Sequence, residues 1–269
     1  MLVCSLGDLL LDVVVRLDGA LVPGGDVAAE TRVAPGGQAA NVAGWVAFLG
    51  GDARFLGKRA DDEGGRLATA ALTRLGVELA GPIVDEGTGV VVSLVAADGE
   101  RTMASSRGIG ADLRTEEIDD EWLACDHLHV SGYALAGEPM RTAAEHAVLR
   151  ARGRGARVSI DLAATSVIDA VGPAALRGLL ERLEPDVVFC NEAEGHAFGT
   201  WLGGTTWIVK RGARGVSVDG VDHDAAPAER VVDSTGAGDA FAAGWILGGL
   251  PVALDAAARC VAQVGALPA

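Results

Sequence analysis

The sequence predicts an α/β protein, built on a doubly wound, mostly parallel sheet with helices on both faces and a small β-sheet lid. Three observations predict this class. Short apolar runs alternate with alanine-rich helical stretches, which is typical of a parallel sheet covered on both faces. Other apolar segments interrupt this alternation and suit a separate small sheet. Hydrophobic residues make up 49% and charged residues 22% of the 269-residue chain, enough for a large buried core.

The strands and helices follow one another in the order that such a sheet requires. Apolar runs predict buried strands at residues 3–6, 127–130, 157–160, 186–190 and 206–209. Helical spacing of apolar residues predicts helices at 138–152 and 172–183, with Pro139 and Pro173 in first turns, where proline is tolerated. No repeat or linker divides the chain, so we expect residues 1–269 to form a single domain.

The small sheet is predicted from the segments that interrupt the alternation. Its strands are expected at about residues 9–17, 30–33 and 88–106. The last segment contains Asp98-Gly99, a dipeptide typical of hairpin turns. A small sheet beside an α/β core suits a lid, which keeps water from a reactive group.

Charge and composition argue against several classes of partner. Lys plus Arg number 22 and Asp plus Glu number 37, which gives a formal net charge of −15. Nucleic acids and anionic membrane surfaces both attract a surplus of cations, which this chain lacks. The first residues contain no basic segment, and the nearly uncharged stretch 240–254 is short and broken by glycine and proline. We therefore expect a cytoplasmic protein that binds neither nucleic acid nor membrane.

The strongest chemical motif is DSTGAGDAF at residues 233–241. Small residues precede a helix predicted to run through residues 240–248, so backbone N–H groups and the positive end of the helix dipole are exposed to an anion such as phosphate. Asp239 falls in the first turn, where it is positioned to take a proton from a hydroxyl beside that anion. A simple helix cap is the alternative interpretation of an Asp near a helix start. The complete motif favours the anion site.

A second and weaker motif comprises Gly36, Gly37 and Asn41, at the start of a helix expected to end near residue 49. Paired glycines allow a ligand to approach the backbone closely. The amide of Asn41 offers both a hydrogen-bond donor and an acceptor. Taken alone, the paired glycines more often mark a turn than a binding loop.

The two motifs, in this order and at this separation, resemble the ribokinase (PfkB) family of sugar and nucleoside kinases over essentially the whole chain. The resemblance implies a kinase that transfers the γ-phosphate of ATP to a hydroxyl of a small sugar or sugar derivative. It implies that Asp239 is the general base. It also implies that the amides of Gly236, Ala237 and Gly238 form an anion hole for the transferring phosphoryl group.

The resemblance implies further residues around the nucleotide. Asn191 and Glu194 match an N-x-x-E element that organises Mg²⁺ through water, while a helix cap with a capping box is the structural alternative. Lys210, Gly212 and Gly215 match the segment that lies along the nucleotide.

The cofactors implied in this way are ATP and Mg²⁺. Asp233 resembles a position beside the family's monovalent-cation site. Backbone carbonyls supply most of such a site, so potassium activation stays open.

The substrate-binding candidates are Asp12, Gly36, Gly37, Asn41 and Arg107. Asp12 lies in an apolar run, where a lone carboxylate carries a desolvation cost unless it meets water or a ligand. An exposed edge strand with a hydrated Asp12 is the alternative. Arg107 follows the lid hairpin and is placed to hold an anionic or hydroxyl-rich substrate, although a solvated surface arginine is equally consistent with the sequence.

The chain departs from ribokinases proper at two positions. They have an Asn two residues before the sugar-binding Asp, where this chain has Leu10, and a Glu at the end of the strand that here occupies residues 128–132. Both losses remove contacts to hydroxyls, which disfavours ribose itself. Asp161 ends another predicted strand, where a capping role and a substrate contact are both open.

Three other functions are compatible with parts of this sequence pattern. A nucleoside kinase shares every motif, but few aromatic residues lie near the first lid strand to stack on a base. A catalytically silent sensor should have lost the base or the anion hole. A dinucleotide-binding dehydrogenase needs G-x-G-x-x-G after the first strand, which is absent from the sequence. The oligomer is not determined, although apolar lid strands such as residues 90–95 can pair across a homodimer.

Overall fold

The computed structural model describes residues 1–96 and 101–269. The predicted hairpin turn at residues 98–99 therefore lies outside the described residues. In chain order the strands are β1 (Leu2–Leu6), β2 (Leu10–Leu17), β3 (Ala29–Gly36), β4 (Asp52–Leu56), β5 (Arg59–Ala60), β6 (Glu78–Ala80), β7 (Ile83–Val84), β8 (Thr88–Val95), β9 (Arg101–Gly108), β10 (His127–Ser131), β11 (Arg157–Asp161), β12 (Val187–Asn191), β13 (Thr206–Lys210), β14 (Val216–Val218) and β15 (Val221–His223).

The α-helices are α1 (Gln38–Phe48), α2 (Glu63–Arg74), α3 (Met140–Gly153), α4 (Thr165–Val171), α5 (Pro173–Leu183), α6 (Glu192–Phe198) and α7 (Ala237–Val261). Short 3₁₀ turns lie at Ile109–Asp112, Thr115–Glu117, Asp120–Leu123, Gly132–Leu135 and Gly212–Arg214.

The large sheet has the order β15-β14-β13-β12-β11-β10-β1-β4-β6. Neighbouring strands from β13 through β6 are parallel, and β14 and β15 add an antiparallel edge. The predicted fold class, a doubly wound and mostly parallel sheet, is confirmed. All the parallel strands end at one edge of the sheet, which is the edge where such folds bind their ligands.

The strands of the large sheet are apolar on both faces because helices cover both. Successive side chains of a strand point to opposite faces. In β1, Val3 belongs to the apolar cluster that contains Trp45 of α1, whereas Cys4 belongs to the cluster that contains Val148 of α3 and Leu180 of α5. The runs of consecutive buried residues that predicted the strands follow from this double coverage.

The small sheet has the order β3-β2-β8-β9. Strand β2 pairs antiparallel with β3 and parallel with β8, and β8 pairs antiparallel with β9. Only Gly7, Asp8 and Leu9 separate β1 from β2, so the small sheet begins at the carboxyl edge of the large one. This short connection places the small sheet beside the edge at which a ligand is expected.

Helix α7 is longer than the predicted helix at residues 240–248 and is broken in the middle. Gly248 (φ −152°) and Gly249 (φ +69°) leave the helical conformation, and Pro251 follows. By length and composition α7 is apolar enough to cross a membrane, a criterion that the core helix of a soluble protein also meets. Because α7 packs along α1 and contributes Phe241 to the core, we assign it to the core.

Two histidines form a buried polar cluster inside the large sheet. His127 Nε2 and His129 Nδ1 lie 2.8 and 2.9 Å from the hydroxyl oxygen of Ser159 on the adjacent strand. Burial lowers the pKa of His127 to about 3 and that of His129 to about 4. Both rings are therefore neutral at physiological pH, in agreement with a structural role.

Candidate active site

The carboxyl edge of the large sheet gathers polar residues that end neighbouring strands. Asp161, Asn191 and Lys210 are the last residues of β11, β12 and β13. Helices α1 and α7 begin beside this edge, and their side chains meet above it: Asn41 Nδ2 donates a hydrogen bond to Asp239 Oδ2 at 2.8 Å. The two glycine-rich motifs, nearly 200 residues apart in sequence, are therefore adjacent in the fold.

The motif at residues 233–241 forms a tight turn that opens α7. Gly236 has φ +79° and is the N-cap residue, a backbone conformation that favours glycine. A Cβ at Gly236 would lie 2.6 Å from Ala266, so the C-terminal segment also requires glycine here. The first amides of a helix have no acceptor one turn earlier in the helix, and the Ala237 N–H makes only a long hydrogen bond, 3.3 Å, to the Ser234 carbonyl within the turn. This geometry suits an anion.

Asp239 occupies the first turn of α7, where a carboxylate faces the positive end of the helix dipole. Burial raises the pKa of Asp239 from 3.8 to about 7. The hydrogen bond from Asn41 and the charge of Lys210 oppose that rise, while the charges of Asp161 and Asp12 add to it. A carboxyl group with a pKa near 7 is suited to exchange protons at neutral pH.

Lys210 lies against the amide turn. Its Nζ is 3.1 Å from the position that a Cβ on Gly238 would occupy, and it forms an ion pair of 2.5 Å with Asp161 Oδ2. Burial alone lowers the pKa of Lys210, but the carboxylates of Asp161, Glu194 and Asp239 outweigh burial and raise it. Lys210 is therefore a fixed positive charge beside the anion-binding turn.

Asn191 and Glu194 form a reciprocal capping box at the start of α6. The Asn191 backbone N–H donates to Glu194 Oε2 at 2.7 Å, its Nδ2 donates to Oε1 at 2.6 Å, and Glu194 N–H donates to Asn191 Oδ1 at 2.9 Å. Burial raises the pKa of Glu194, and the charge of Asp161 adds to that rise. The structural alternative foreseen for this motif is therefore present. Each carboxylate oxygen keeps a further lone pair for water.

The acceptor-side candidates meet where the small sheet joins α1. The Asp12 carboxylate lies directly against Gly36, because a Cβ built there would be 2.2 Å from Oδ2. Gly37 has φ +101°, and a Cβ there would be 2.4 Å from the backbone oxygen of Asp8. Burial raises the pKa of Asp12 to about 6; the charge of Asp8 adds to the rise and Arg107 opposes it. Asn41 Nδ2 donates a hydrogen bond to Asp239, whereas its Oδ1 accepts none from the described residues, so its contact with a substrate stays a prediction.

The sequence did not single out Asp8 and Tyr133. Asp8 is 2% exposed and forms an ion pair with Arg107, whose side chain is 26% exposed. The guanidinium carbon of Arg107 lies 3.7 Å from the centre of the Tyr133 ring, a cation–π contact. One sequence feature could have pointed to Asp8: it is a carboxylate directly after Gly7, at the carboxyl end of a buried strand.

The remaining predicted residues occupy supporting positions. Gly212 and Gly215 bound the 3₁₀ turn between β13 and β14. Asp233 accepts hydrogen bonds from the Thr235 backbone N–H at 2.9 Å, the Thr235 hydroxyl at 2.7 Å and the Gly265 N–H at 3.0 Å. Asp233 thus ties the turn before α7 to the C-terminal segment.

Three curated relatives align with about nine tenths of the chain. A fructokinase-1 of Zea mays is 34% identical over 89% of this chain and 80% of its own length. A fructokinase of Escherichia coli is 32% identical over 90% of this chain and 82% of its own length. An ATP-dependent ribose-1-phosphate kinase of Halopiger xanaduensis is 33% identical over 91% of this chain and 83% of its own length.

Solved structures share the fold. An adenosine kinase from Sinorhizobium meliloti superposes with a TM-score of 0.87 over 99% of this chain and 95% of its own, at 24% identity. A candidate ribokinase II from Escherichia coli, in complex with ATP and Mg²⁺, superposes with a TM-score of 0.80. The match covers 98% of this chain and 94% of that chain, also at 24% identity.

The fold and the curated relatives define an enzyme, a carbohydrate kinase. The model of the pfkB family carbohydrate kinases matches residues 1–267, and the chain belongs to that family.

Proposed function

We propose that the protein transfers the γ-phosphate of ATP to a hydroxyl of a small sugar or sugar derivative, with Asp239 as general base. One observation supports this assignment above the others. Asp239 lies in the first turn of α7, beside the amide turn, and has a pKa of about 7. The group that removes the proton from the acceptor hydroxyl is thereby next to the site where the phosphoryl group is held.

On the donor side, charge neutralisation is the main chemical requirement, because phosphoryl transfer spreads negative charge over the transferring oxygens. We assign this role to the amides of Gly236, Ala237 and Gly238 together with Lys210. The position of Lys210 Nζ close to Gly238 supports its contact with a phosphate oxygen. Gly212 and Gly215 would pass under the nucleotide.

The donor set at α6 fits a magnesium ion held through water. Glu194 is buried and both its oxygens already accept hydrogen bonds from Asn191, so water between carboxylate and metal suits it better than direct coordination. When bound, Mg²⁺ neutralises phosphate charge. The carboxylate of Asp233 is occupied by the N–H groups of Thr235 and Gly265, which favours a loop-holding role. Potassium activation stays a prediction.

On the acceptor side, Asp12, Gly36 and Gly37 would line the sugar site, with Arg107 reaching it from the small sheet. Asn41 would act chiefly by orienting Asp239, since it donates to that carboxylate at 2.8 Å. The small sheet would serve as a lid that excludes water from the phosphoryl group.

The nucleoside-kinase alternative requires an aromatic surface for the base. In the described cleft, the face of Tyr133 is already covered by Arg107 at 3.7 Å, which favours a sugar. A cytoplasmic enzyme with a homodimer through the small sheet also stays a prediction. The exposed side chains of Val33 and Met103 are consistent with that contact, and sedimentation velocity tests it.

The experiment is a coupled assay of ADP formation with ATP and Mg²⁺ against sugars, sugar acids, sugar phosphates and nucleosides. Asp239→Asn is expected to lower kcat by about 10²–10⁴-fold while ATP still binds. Asp255→Asn is the matched control, because Asp255 is an exposed carboxylate at the far end of the same helix. Near-normal turnover in Asp239→Asn would show that the assigned base is wrong.

A further inference from the structure

A cavity of about 330 Å³ opens beside the acceptor residues. Asp8 and Arg107 line one side, Tyr133 and Glu138 lie next to them, and Met140 and Val167 supply apolar walls. Its volume is sufficient for a small-molecule ligand. The mixture of charged groups and apolar walls suits a ligand with hydroxyl groups and a carbon skeleton.

Asp8 and Arg107 depend on each other electrostatically. Asp8 is buried, and its Oδ1 accepts no hydrogen bond within the described part of the chain. Burial raises the pKa of Asp8, and the charge and hydrogen bond of Arg107 oppose that rise. A buried carboxylate without a paired cation is costly, so Arg107 is held by Asp8 and its positive charge is largely neutralised there.

The wider charge balance around the cavity is negative. Among the charged groups at the cavity, Asp8 is paired with Arg107 and Glu138 with Arg141 at 3.9 Å, so the excess negative charge comes from the neighbouring Asp12. Asp12 stands close enough for the charge of Asp8 to raise its pKa. An acceptor with its own carboxylate or phosphate would enter a field of like charge.

We propose that the Asp8–Arg107 pair makes this cavity select a neutral, hydroxyl-rich sugar and reject sugar acids and sugar phosphates. Arg107 donates hydrogen bonds to hydroxyls from the small sheet. Asp8 is the specificity-determining residue, because it removes the free positive charge that would attract an anionic acceptor. This inference rests on the proposed function and names the substrate class of the same site.

The test compares acceptors that differ in charge and share a free primary hydroxyl: fructose with fructose 1-phosphate, and fructose with 2-keto-3-deoxygluconate. The readout is the ratio of kcat/KM for the neutral to the anionic acceptor in each pair. Wild-type protein is expected to favour the neutral acceptor by about tenfold or more, since like charges across a binding site are strongly disfavoured.

Asp8→Asn keeps the shape of the side chain and frees the charge of Arg107. The ratio is expected to shift toward the anionic acceptor by about tenfold, the effect of unmasking one charge in a partly buried site. Arg107→Gln is expected to shift the ratio the opposite way. The double variant is expected to return toward the wild-type preference. A purely structural role for Asp8 would lower activity on both acceptors equally.

Binding of each acceptor, measured by thermal shift without ATP, separates this inference from the proposed function. Turnover with an anionic preference in wild type, or an unchanged ratio in Asp8→Asn, would overturn the inference and leave the kinase assignment intact. Neutral-selective binding that reverses in Asp8→Asn, without turnover on any acceptor, would support the inference and refute the kinase assignment. If Asp8→Asn fails to fold, two measurements test the inference in its place: the wild-type preference for the neutral acceptor, and the further shift toward the neutral acceptor in Arg107→Gln.

Discussion

Replacing Asp239, the proposed general base, should stabilise the protein while it lowers turnover. Burial raises the pKa of Asp239 from 3.8 to about 7, so the folded protein binds a proton that the unfolded chain has released between those two values. Stability therefore falls as pH rises through this window and stays low above it. At 1.36 kcal/mol per pKa unit, the raised pKa of Asp239 lowers the unfolding free energy by about 4 kcal/mol above pH 8 and by about 1.5 kcal/mol at pH 5, relative to a carboxyl group with an unshifted pKa.

Asp239→Asn removes this cost and keeps an oxygen that accepts the hydrogen bond from Asn41. We expect the variant to be more stable than wild type at pH 8.5, and the difference in unfolding free energy to grow by about 3 kcal/mol between pH 5 and pH 8.5. Urea unfolding at both pH values, without ligands, measures it. Asp255→Asn separates the site effect from the loss of one negative charge. A difference that does not change with pH, or that shrinks toward pH 8.5, would refute the reasoning.

Three further predictions follow from neighbouring groups. Lys210→Met is expected to lower kcat by about 10²-fold, the order found for removal of one oxyanion-stabilising group, and to raise the pKa of Asp239 seen in the pH dependence of kcat/KM; an unchanged pKa would contradict the coupling. Gly238→Ala places a Cβ 3.1 Å from Lys210 Nζ, so kcat is expected to fall in steady-state assays while the unfolding free energy changes little. Because the pKa values of His127 and His129 are lowered to about 3 and about 4, the unfolded chain takes up their protons first as pH falls below 6.5. Stability should then drop by about 1.4 kcal/mol per pH unit for each ring, and urea titrations should show a shallower drop in His127→Gln.

The fold was predictable because its main determinants are local. Within the predicted strand 186–190, residues 187–190 are apolar at every position, which indicates a strand covered on both faces, and the structure has β12 at Val187–Asn191. The end of α7 was missed because Gly248 and Gly249 look like a helix stop. In the folded protein the helix resumes after them, since Ala253 and Ala256 are buried in the core beside Ala243.

The parts of the site that lie within one motif were predictable, and the pairs that join distant segments were not. The turn around Gly236 could be predicted because the residues that form it all lie within the motif at 233–241. The ion pair of Asp161 with Lys210 depends on β11 and β13 flanking β12, and strand order is not encoded locally. Asp8 and Arg107 are brought together only when β9 is placed in the small sheet, so neither residue alone predicts the pairing.

The hydrogen bond between Asn41 and Asp239 connects the two glycine-rich motifs directly. It joins the starts of α1 and α7, two helices that also pack along each other, and Trp45 Nε1 of α1 donates to the Ala266 carbonyl at 2.8 Å. The loop proposed to bind the sugar and the turn proposed to bind the phosphate are thus joined in one packed base. On the proposed function, this base would align donor and acceptor, and the small sheet would control their entry and departure and limit the loss of phosphate to water.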